Sequence, residues 1–416
     1  MARFLTRRDV LRKMGFFPLA ASWMTGERVK ANVMGQPTPA TDVYRRLGVR
    51  RIINAMGFHT HLSGSLMPPE VIRAMEEASQ HFVRIDDLQR KVGERLAELT
   101  GAEAALVTAG AAAAIMLGTA ACMTGKDDAK IKRLPDTTGM KNEVIIQRAH
   151  RNPYDHAVRA TGARLVKVET LAEYRAAFND KTAMVYHLVA DRHFDSPEGG
   201  RITLTDALAI AREHGVPYLV DAAAELPPLS NLTYFTRLGV DLVCFSGGKG
   251  LMGPQCSGML LGRRDLIEAA YLNGPPHSDS IGRAAKVGKE EIIGLLAAVE
   301  RFVRLDHRKR EQEWTERLQR ITKILGDLPI DARLLEEDIE PPHVPRLVVT
   351  WDEKVPGLTV EQVIEKLMAG EPPIYVNRSA SRLIIVSATL QPGEEEIVGR
   401  RLREIFIATW REVRRG

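Results

Sequence analysis

A regular alternation of continuous apolar runs with helical segments, between about residues 102 and 262, limits the fold of this chain more than any other feature. The runs are rich in Val, Ile, Leu and Ala, which is typical of strands buried on both faces of a parallel sheet. We predict strands at 104–108, 143–147, 164–168, 183–189, 217–221 and 257–262, with one more run that stops at Gly247. Helical segments at 111–122, 154–161 and 203–214 separate them. The expected fold is therefore α/β, with a mostly parallel central sheet covered by helices on both faces.

The sequence changes character on either side of this region. Apolar residues at helical spacing predict helices near 67–77 and 88–99 on the N-terminal side. On the C-terminal side, a long amphipathic helical region at 290–325 precedes short strands at 346–350, 374–377 and 383–387, with helices near 359–369 and 394–411. We divide the chain into an export signal (1–31), an N-terminal arm with helices (32–100), a large domain (101–275) and a helical connection with a small α+β domain (276–416).

The first 31 residues have the character of a targeting segment. Residues 6–13 contain Arg7 and Arg8 and resemble a twin-arginine export signal. The apolar stretch that follows, 14–24, contains Pro18 and is too short to span a membrane. We therefore predict export by the twin-arginine machinery to the periplasm, without stable membrane insertion. The alternative is a basic tail with a chance arginine pair, in a cytoplasmic protein.

Charge and cysteine content exclude several kinds of function. The formal net charge of the whole chain is +5, and residues 1–31 account for it with seven basic and two acidic residues. The rest of the chain is formally neutral, so nothing favours nucleic acid as a partner. Cys122, Cys244 and Cys256 lie in apolar or glycine-rich segments, where we expect buried thiols and not a disulfide framework or a metal site.

Lys249 is the first candidate for chemistry. It follows an apolar strand in the glycine-rich segment 246–253, where few side chains would hinder an aldehyde that approaches its amine. A phosphate-binding Walker loop would need Gly at 243 and Ser or Thr at 250, whereas this chain has Val243 and Gly250. A solvated surface lysine is the remaining alternative.

Asp221 ends another predicted strand and is followed by three alanines, including Ala223. A Schiff-base lysine together with an acid for a pyridinium nitrogen is what pyridoxal 5′-phosphate (PLP) requires of a protein. The small residues after Asp221 would leave room for a flat ring. The alternative is an aspartate that caps the turn after its strand.

A third segment, 108–114, joins a strand to a helix through Gly110, Ala111 and Ala112. Small residues let backbone N–H groups approach a phosphate, and the helix dipole favours its negative charge. Ser246 would add a hydroxyl group to this phosphate site. The alternative is a tightly packed alanine helix. With Lys249 and Asp221 in the same sheet, we interpret 101–275 as a PLP-binding domain.

Several histidines and arginines complete the candidate set. His150 follows a strand and is expected to stack on the cofactor ring or assist proton transfer. His59 and His61 have no further ligands at metal-binding spacing, so we assign His59 to a loop that lines the substrate pocket and predict no metal. Arg378 or Arg382 is a candidate for a two-pronged contact with a substrate carboxylate; surface positions are the alternative.

These motifs together resemble a known group of enzymes. Residues 52–57, the 108–114 turn, Val220-Asp221-Ala222-Ala223 and the segment 245–258 are similar to the selenocysteine synthase-like branch of fold-type-I PLP enzymes. The D-glucosaminate-6-phosphate ammonia-lyase-like subgroup is the closer match, over about residues 45–410. The resemblance implies Lys249 as the cofactor lysine, Asp221 as the partner of the pyridine nitrogen, phosphate at the Gly110 turn, and a homodimer or larger homo-oligomer with sites near the subunit interface.

The residues and the resemblance lead to one main functional hypothesis. We predict a PLP-dependent lyase that performs α,β-elimination with release of ammonia, on an amino acid or amino-sugar acid with a β-leaving group. The alternatives are a PLP-dependent transferase, by β-replacement or transamination, and a non-catalytic protein with this fold. Selenocysteine synthases carry an N-terminal region for tRNA, whereas here that space is mostly the predicted signal.

Overall fold

The computed structural model describes residues 43–189, 202–335, 344–354 and 357–413. The predicted export signal, 1–31, lies outside the described residues. Residues 1–50 and 51–416 are two separate compact units. In the first unit, the described part contains one short helix, α1 (Val43–Arg46), after which the Val49 N–H donates to the Tyr44 carbonyl at 2.8 Å.

The second unit contains two sheets. The described strands are β1 (Ile53–Ala55), β2 (Ala104–Thr108), β3 (Glu143–Gln147), β4 (Arg164–Val168), β5 (Thr182–Leu188), β6 (Tyr218–Asp221), β7 (Leu242–Ser246), β8 (Gly258–Gly262), β9 (Asp331–Leu335), β10 (Arg346–Thr350), β11 (Ile374–Ser379) and β12 (Arg382–Val386). The larger sheet has the order β2-β8-β7-β6-β5-β3-β4. Strands β7, β6, β5, β3 and β4 are parallel, and β8 is antiparallel to both its neighbours. The prediction of a mostly parallel central sheet is confirmed.

Helices cover both faces of this sheet. The remaining described helices are α2 (Pro69–Ser79), α3 (Ile85–Thr100), α4 (Ala111–Thr124), α5 (Asp128–Arg133), α6 (His156–Arg159), α7 (Leu171–Ala176), α8 (Leu204–Glu213), α9 (Asn231–Leu238), α10 (Arg264–Leu272), α11 (Lys289–Arg304), α12 (His307–Leu325), α13 (Val360–Ala369) and α14 (Glu394–Val413). Buried side chains of α3, α8, α9 and α11 pack on one face, and those of α4, α6 and α10 pack on the other. None of these helices combines the length with the apolar character that a bilayer crossing needs.

The smaller sheet draws its strands from both ends of the second unit. Its order is β1-β11-β12-β10-β9, and β1 pairs in parallel with β11 through Ile53 and Ile374. The sequence analysis predicted neither β1 nor β9. One core holds Ile53 and Ala55 together with residues of α12, α13 and α14. The N-terminal segment thus contributes a strand to the C-terminal sheet.

The amphipathic region predicted over 290–325 is two helices and not one. Helix α11 ends at Arg304, and Asp306 caps α12 by accepting a hydrogen bond from the Lys309 N–H at 3.0 Å. An aspartate at this position favours a helix start because its carboxylate satisfies an N–H that has no partner within the helix. The chain therefore changes direction at Leu305–Asp306.

Strand β2 lies at the edge of the larger sheet, where a side chain takes the place of a neighbouring strand. The Gln89 amide, on α3, donates to the Val107 carbonyl at 2.9 Å and accepts from the Val107 N–H at 3.2 Å. Gln89 is only 5% exposed. Both backbone groups of Val107 are therefore satisfied without a further strand.

Candidate active site

The carboxyl ends of the strands bring the predicted site residues to one edge of the larger sheet. Register pairs Gly258 with both Thr108 and Ser246, so the ends of β2 and β7 lie on either side of the start of β8. Asp221, at the end of β6, pairs with Cys244 of β7. Neighbouring strands are about 4.8 Å apart. The Gly110 turn, the Lys249 turn and Asp221 therefore share one edge, which is where parallel sheets bind ligands.

Lys249 lies on a closely packed turn directly after β7. The Gly247 N–H donates to the Ser257 carbonyl at 2.8 Å, and the Met252 N–H donates to the Lys249 carbonyl at 2.9 Å. Glycine is required at 250, since a Cβ there would overlap the Leu226 carbonyl oxygen. Within the described part of the chain, no carboxylate lies within ion-pair distance of the Lys249 amine. The turn therefore holds a partly buried amine on a rigid backbone.

A second loop, Gly57 to Ser65, packs against the Lys249 turn. The backbone N–H and the hydroxyl of Ser65 both donate to the Gly248 carbonyl, at 3.1 and 3.0 Å. This loop carries the candidate His59, whose ring centroid is 5.6 Å from that of His61. Burial, the nearby His61 and the positive charge of Lys249 lower the pKa of His59 below its usual 6.5. The structure thus brings His59 and Lys249 together, although they are 190 positions apart.

Asp221 is 2% exposed, and both of its carboxylate oxygens accept hydrogen bonds. The Tyr186 hydroxyl donates to Oδ2 at 2.7 Å, and the Ala223 N–H donates to Oδ1 at 3.1 Å. The Cys244 thiol lies 3.6 Å from Oδ1. Burial and the Asp221 charge raise the pKa of that thiol, which keeps it protonated as a weak donor. The carboxylate is therefore held by contacts from its own turn and from the strands on either side.

His150 is buried at the end of a short 3₁₀ helix, Arg148–His150, that follows β3. Its ring meets the ring of His187, on β5, edge to face at a centroid distance of 4.2 Å. Burial, and to a smaller extent His150, holds the pKa of His187 well below its usual 6.5. The structure places the His150 segment over the same sheet edge as Asp221, as the sequence predicted.

The Gly110 turn is open at the N-terminus of α4. Gly110 has a φ of +92°, and a Cβ added there would meet nothing within 4 Å. Among the residues that the structure describes, no side chain accepts a hydrogen bond from the first N–H groups of the helix, at Ala111 and Ala112. Gly258 packs against this turn, where a Cβ would lie 2.6 Å from the Gly110 carbonyl carbon. Free N–H groups next to open space suit a phosphate.

The two candidate arginines lie on the smaller sheet. Arg378, at the exposed end of β11, forms an ion pair with Glu361 of α13. Arg382 lies 3.4 Å from the Ser379 hydroxyl across the hairpin between β11 and β12. Both have local partners, and their role as substrate ligands stays a prediction.

Sequence reasoning missed Tyr186 and Asn152. Tyr186 and His187 follow the apolar residues 183–185 near the end of β5, and these polar side chains were the available signal. Asn152 stands just beyond the His150 segment and donates to the His150 carbonyl at 3.0 Å. Its amide is also 3.5 Å from the Tyr186 hydroxyl.

A separate cavity of about 830 Å³ opens between α3, α10 and the edge of β2. Its walls combine charged residues, such as Glu94 and Lys126, with apolar ones, such as Ile267. Neither Lys249 nor Asp221 lines it. The candidate catalytic residues therefore lie at the carboxyl ends of the strands and not in this cavity.

The residues at the sheet edge fit PLP. The open turn at Gly110 offers backbone donors for a phosphate, the buried Asp221 offers a carboxylate for a pyridinium nitrogen, and Lys249 offers an amine for an aldehyde. With the doubly covered parallel sheet, this arrangement defines a PLP-dependent enzyme of fold type I.

Comparison with known proteins specifies the family. The sequence model of the L-seryl-tRNA selenium transferase (SelA) family matches residues 52–347, and the chain belongs to this family. It is 33% identical to a 5′-C-glycyluridine monooxygenase-decarboxylase from Streptomyces sp., over 88% of this chain and 92% of the relative. It is 32% identical to the D-glucosaminate-6-phosphate ammonia lyase of Salmonella typhimurium (strain 14028s / SGSC 2262), over 88% of this chain and 98% of the relative. The resemblance stated from the motifs is confirmed.

A solved structure of D-glucosaminate-6-phosphate ammonia-lyase superposes with a TM-score of 0.76 at 30% identity. The match covers 89% of this chain and 99% of that chain. The likeness thus extends beyond the motifs to the arrangement of both sheets.

Proposed function

We propose that this protein is a PLP-dependent lyase that eliminates a β-substituent from an amino acid or amino-sugar acid and releases ammonia. The observation that carries the proposal is the partly buried Lys249 beside the strand of the buried Asp221, in a chain that superposes on an ammonia-lyase with a TM-score of 0.76. The 32% identity to the D-glucosaminate-6-phosphate ammonia lyase of Salmonella typhimurium also supports it.

When bound, PLP withdraws electrons from the substrate α-carbon. Asp221 would hold the proton on the ring nitrogen, because the carboxylate lies at the end of β6 with its charge stabilised by Tyr186 and Ala223. The Gly110 turn would hold the phosphate through the N-terminus of α4.

Lys249 would act as the general base that takes the α-proton of the substrate. The closely packed turn fixes where its amine can reach, and the neighbouring His59 stays neutral at neutral pH because its pKa is lowered. A β-hydroxyl group would take a proton from the protonated Lys249 amine and leave as water with the C–O electron pair. The released enamine would then take up water and yield a 2-keto acid and ammonia.

The test is a product assay on the purified protein loaded with PLP. β-Hydroxy amino acids and amino-sugar acids, with and without a phosphate group, would be supplied one at a time without an amino acceptor. We expect equal amounts of ammonia and 2-keto acid from an active substrate. The Lys249→Ala variant should lose this activity by at least about 10³-fold, given what base catalysis contributes, whereas Lys309→Ala, on the exposed surface of α12, should retain it.

Three other outcomes would replace the lyase proposal. A requirement for a second substrate would indicate transfer, by β-replacement or transamination, which the family match favours as the alternative. Oxygen consumption with carbon dioxide release would indicate chemistry like that named for the Streptomyces relative. A protein that binds no PLP would be a non-catalytic member of the fold.

We further propose that the substrate is a small molecule, that the protein acts as a homo-oligomer, and that residues 6–13 direct it to the periplasm. The support for export is the sequence alone, through Arg7 and Arg8. Replacing both arginines by lysine should move the protein from the periplasmic to the cytoplasmic fraction. An unchanged distribution would contradict the export proposal and leave the enzymatic one untouched.

A further inference from the structure

Both oxygens of the Asp221 carboxylate have protein donors, and the shortest of these contacts comes from another strand. The Tyr186 hydroxyl, on β5, reaches Oδ2 at 2.7 Å. The Ala223 N–H serves Oδ1 from within the same turn. The contact from Tyr186 therefore ties the carboxylate to the neighbouring strand, whereas the contact from Ala223 is local.

Tyr186 is itself held in place. It is 1% exposed and packs among apolar side chains on the α4 face of the sheet. Burial, together with the Asp221 charge, raises the pKa of the Tyr186 hydroxyl, so it remains a proton donor throughout the physiological range. The side-chain amide of Asn152 lies 3.5 Å from the Tyr186 oxygen and also donates to the His150 carbonyl. A continuous set of polar contacts thus joins the His150 segment to Asp221.

We propose that Tyr186 is a positioning residue that fixes the orientation of the Asp221 carboxylate, and that Asn152 orients the Tyr186 hydroxyl. The proposal rests on the pyridinium role given to Asp221 under the proposed function. The carboxylate must face the ring nitrogen in its charged form, and a fixed donor on Oδ2 leaves it little freedom to rotate. A hydrogen bond to a charged group is also stronger than a neutral one.

Other titratable groups face this carboxylate and have different effects. Cys244, on β7, stays protonated because burial raises its pKa, and it lies at the longer distance of 3.6 Å. The positive charge of Lys249 reaches the same region, since it acts on Cys244. The rings of His150 and His187 meet edge to face; His187 is neutral and contacts the Tyr218 hydroxyl. Among these groups, Tyr186 makes the short contact, so its removal should dominate the response.

The experiment measures PLP binding to the apoprotein at pH 7, by absorbance titration. We expect Tyr186→Phe to weaken binding by about 10-fold, the effect of one lost hydrogen bond to a charged group.

Tyr174→Phe is the matched control. Tyr174 is also 1% exposed, and its hydroxyl donates to the Ala207 carbonyl at 2.8 Å. The Tyr174→Phe variant should lower thermal stability as much as Tyr186→Phe does. Its affinity for PLP should stay within about 2-fold of that of the wild type. If Tyr186→Phe behaves like Tyr174→Phe, Tyr186 is merely structural and the proposal is overturned.

Two further variants guard against misreading. Asn152 is half-buried, and Asn152→Ala should weaken PLP binding to a smaller extent than Tyr186→Phe; if Tyr186→Phe does not fold, an unchanged affinity of Asn152→Ala overturns the proposal. In an Asp221→Asn background, Tyr186→Phe should no longer weaken PLP binding, whereas a merely structural defect would weaken it in both backgrounds. Wild-type apoprotein that binds no PLP would instead refute the proposed function.

Discussion

At the scale of single residues, His187 places an ionisable ring inside the larger sheet. It is 1% exposed, and its Nδ1 lies 2.6 Å from the Tyr218 hydroxyl. Burial lowers its pKa well below 6.5, with a smaller contribution from the adjacent His150. Only the neutral ring is therefore compatible with the folded sheet near neutral pH.

This burial predicts a pH-dependent stability. Below pH 6.5, the unfolded chain protonates His187 while the folded chain does not, so unfolding takes up a proton. The free energy of unfolding should therefore fall as the pH decreases below 6.5, by about 1.4 kcal/mol per pH unit from this residue. Urea unfolding at pH 7, 6 and 5.5 measures the slope. The slope should decrease in His187→Gln and stay unchanged in His156→Gln, because His156 is on the exposed side of α6. Equal slopes in the wild type and in both variants would contradict the prediction.

Sequence reasoning reached some site residues and not others for a physical reason. Lys249 and Asp221 could be predicted because the end of a buried strand is visible in the local pattern of apolar residues. The contact between Tyr186 and Asp221 depends on the register of β5 against β6, in which Leu188 pairs with Asp221. Register of parallel strands is set by the packing of intervening helices, and no local pattern reports it. His59 was assigned to the pocket, but its approach to Lys249 depends on a loop contact across the chain.

At the scale of elements, the N-terminus of α4 is the feature with the clearest consequence. Gly110 combines a φ of +92° with open space around a hypothetical Cβ. Gly139, in the exposed loop after α5, has a similar φ of +74° and equally open surroundings. The two glycines differ mainly in whether they border the proposed phosphate site.

Alanine at either position should cost roughly 1–3 kcal/mol of stability, because both glycines have a positive φ that an L side chain rarely adopts. Only Gly110→Ala should weaken PLP binding, by about 10-fold or more, since its methyl group would occupy the space for the phosphate. Titration of apoprotein with PLP, together with thermal unfolding, separates the two effects. Equal PLP affinity in the two variants would place the phosphate elsewhere.

Several strands could be predicted from their apolar runs alone. Strands β2, β3, β4 and β10 agree with their predicted bounds to the residue, although β4 is only partly buried. Strand β1 was missed because three residues form too short a pattern, and β9 because Asp331 and Arg333 interrupt its apolar residues. The region 290–325 was read as continuous because its amphipathic spacing runs across the break, although Asp306 was an available N-cap signal.

At the scale of the whole molecule, β1 joins the start of the second unit to its end. Ile53 pairs with Ile374, and the smaller sheet cannot be completed without residues that precede the larger one. All the described tryptophans, Trp314, Trp351 and Trp410, belong to the cores around this smaller sheet. Tryptophan fluorescence therefore reports on this sheet, whereas far-ultraviolet circular dichroism reports on the entire chain.

We expect the two signals to coincide during urea unfolding, because the interleaved strands couple the sheets into one cooperative unit. Trp23 lies outside the described residues, so the measurement would use Trp23→Phe. A fluorescence transition that is complete before the circular dichroism changes would show that the smaller sheet unfolds by itself.

The Gln89 amide also has a consequence for how molecules of this protein meet. By occupying both backbone groups of Val107, one side chain closes a border at which a foreign polypeptide would otherwise add as a further strand. Without that amide, the Val107 N–H and carbonyl would have no partner at this strand edge, and molecules at high concentration would then pair edge to edge and precipitate.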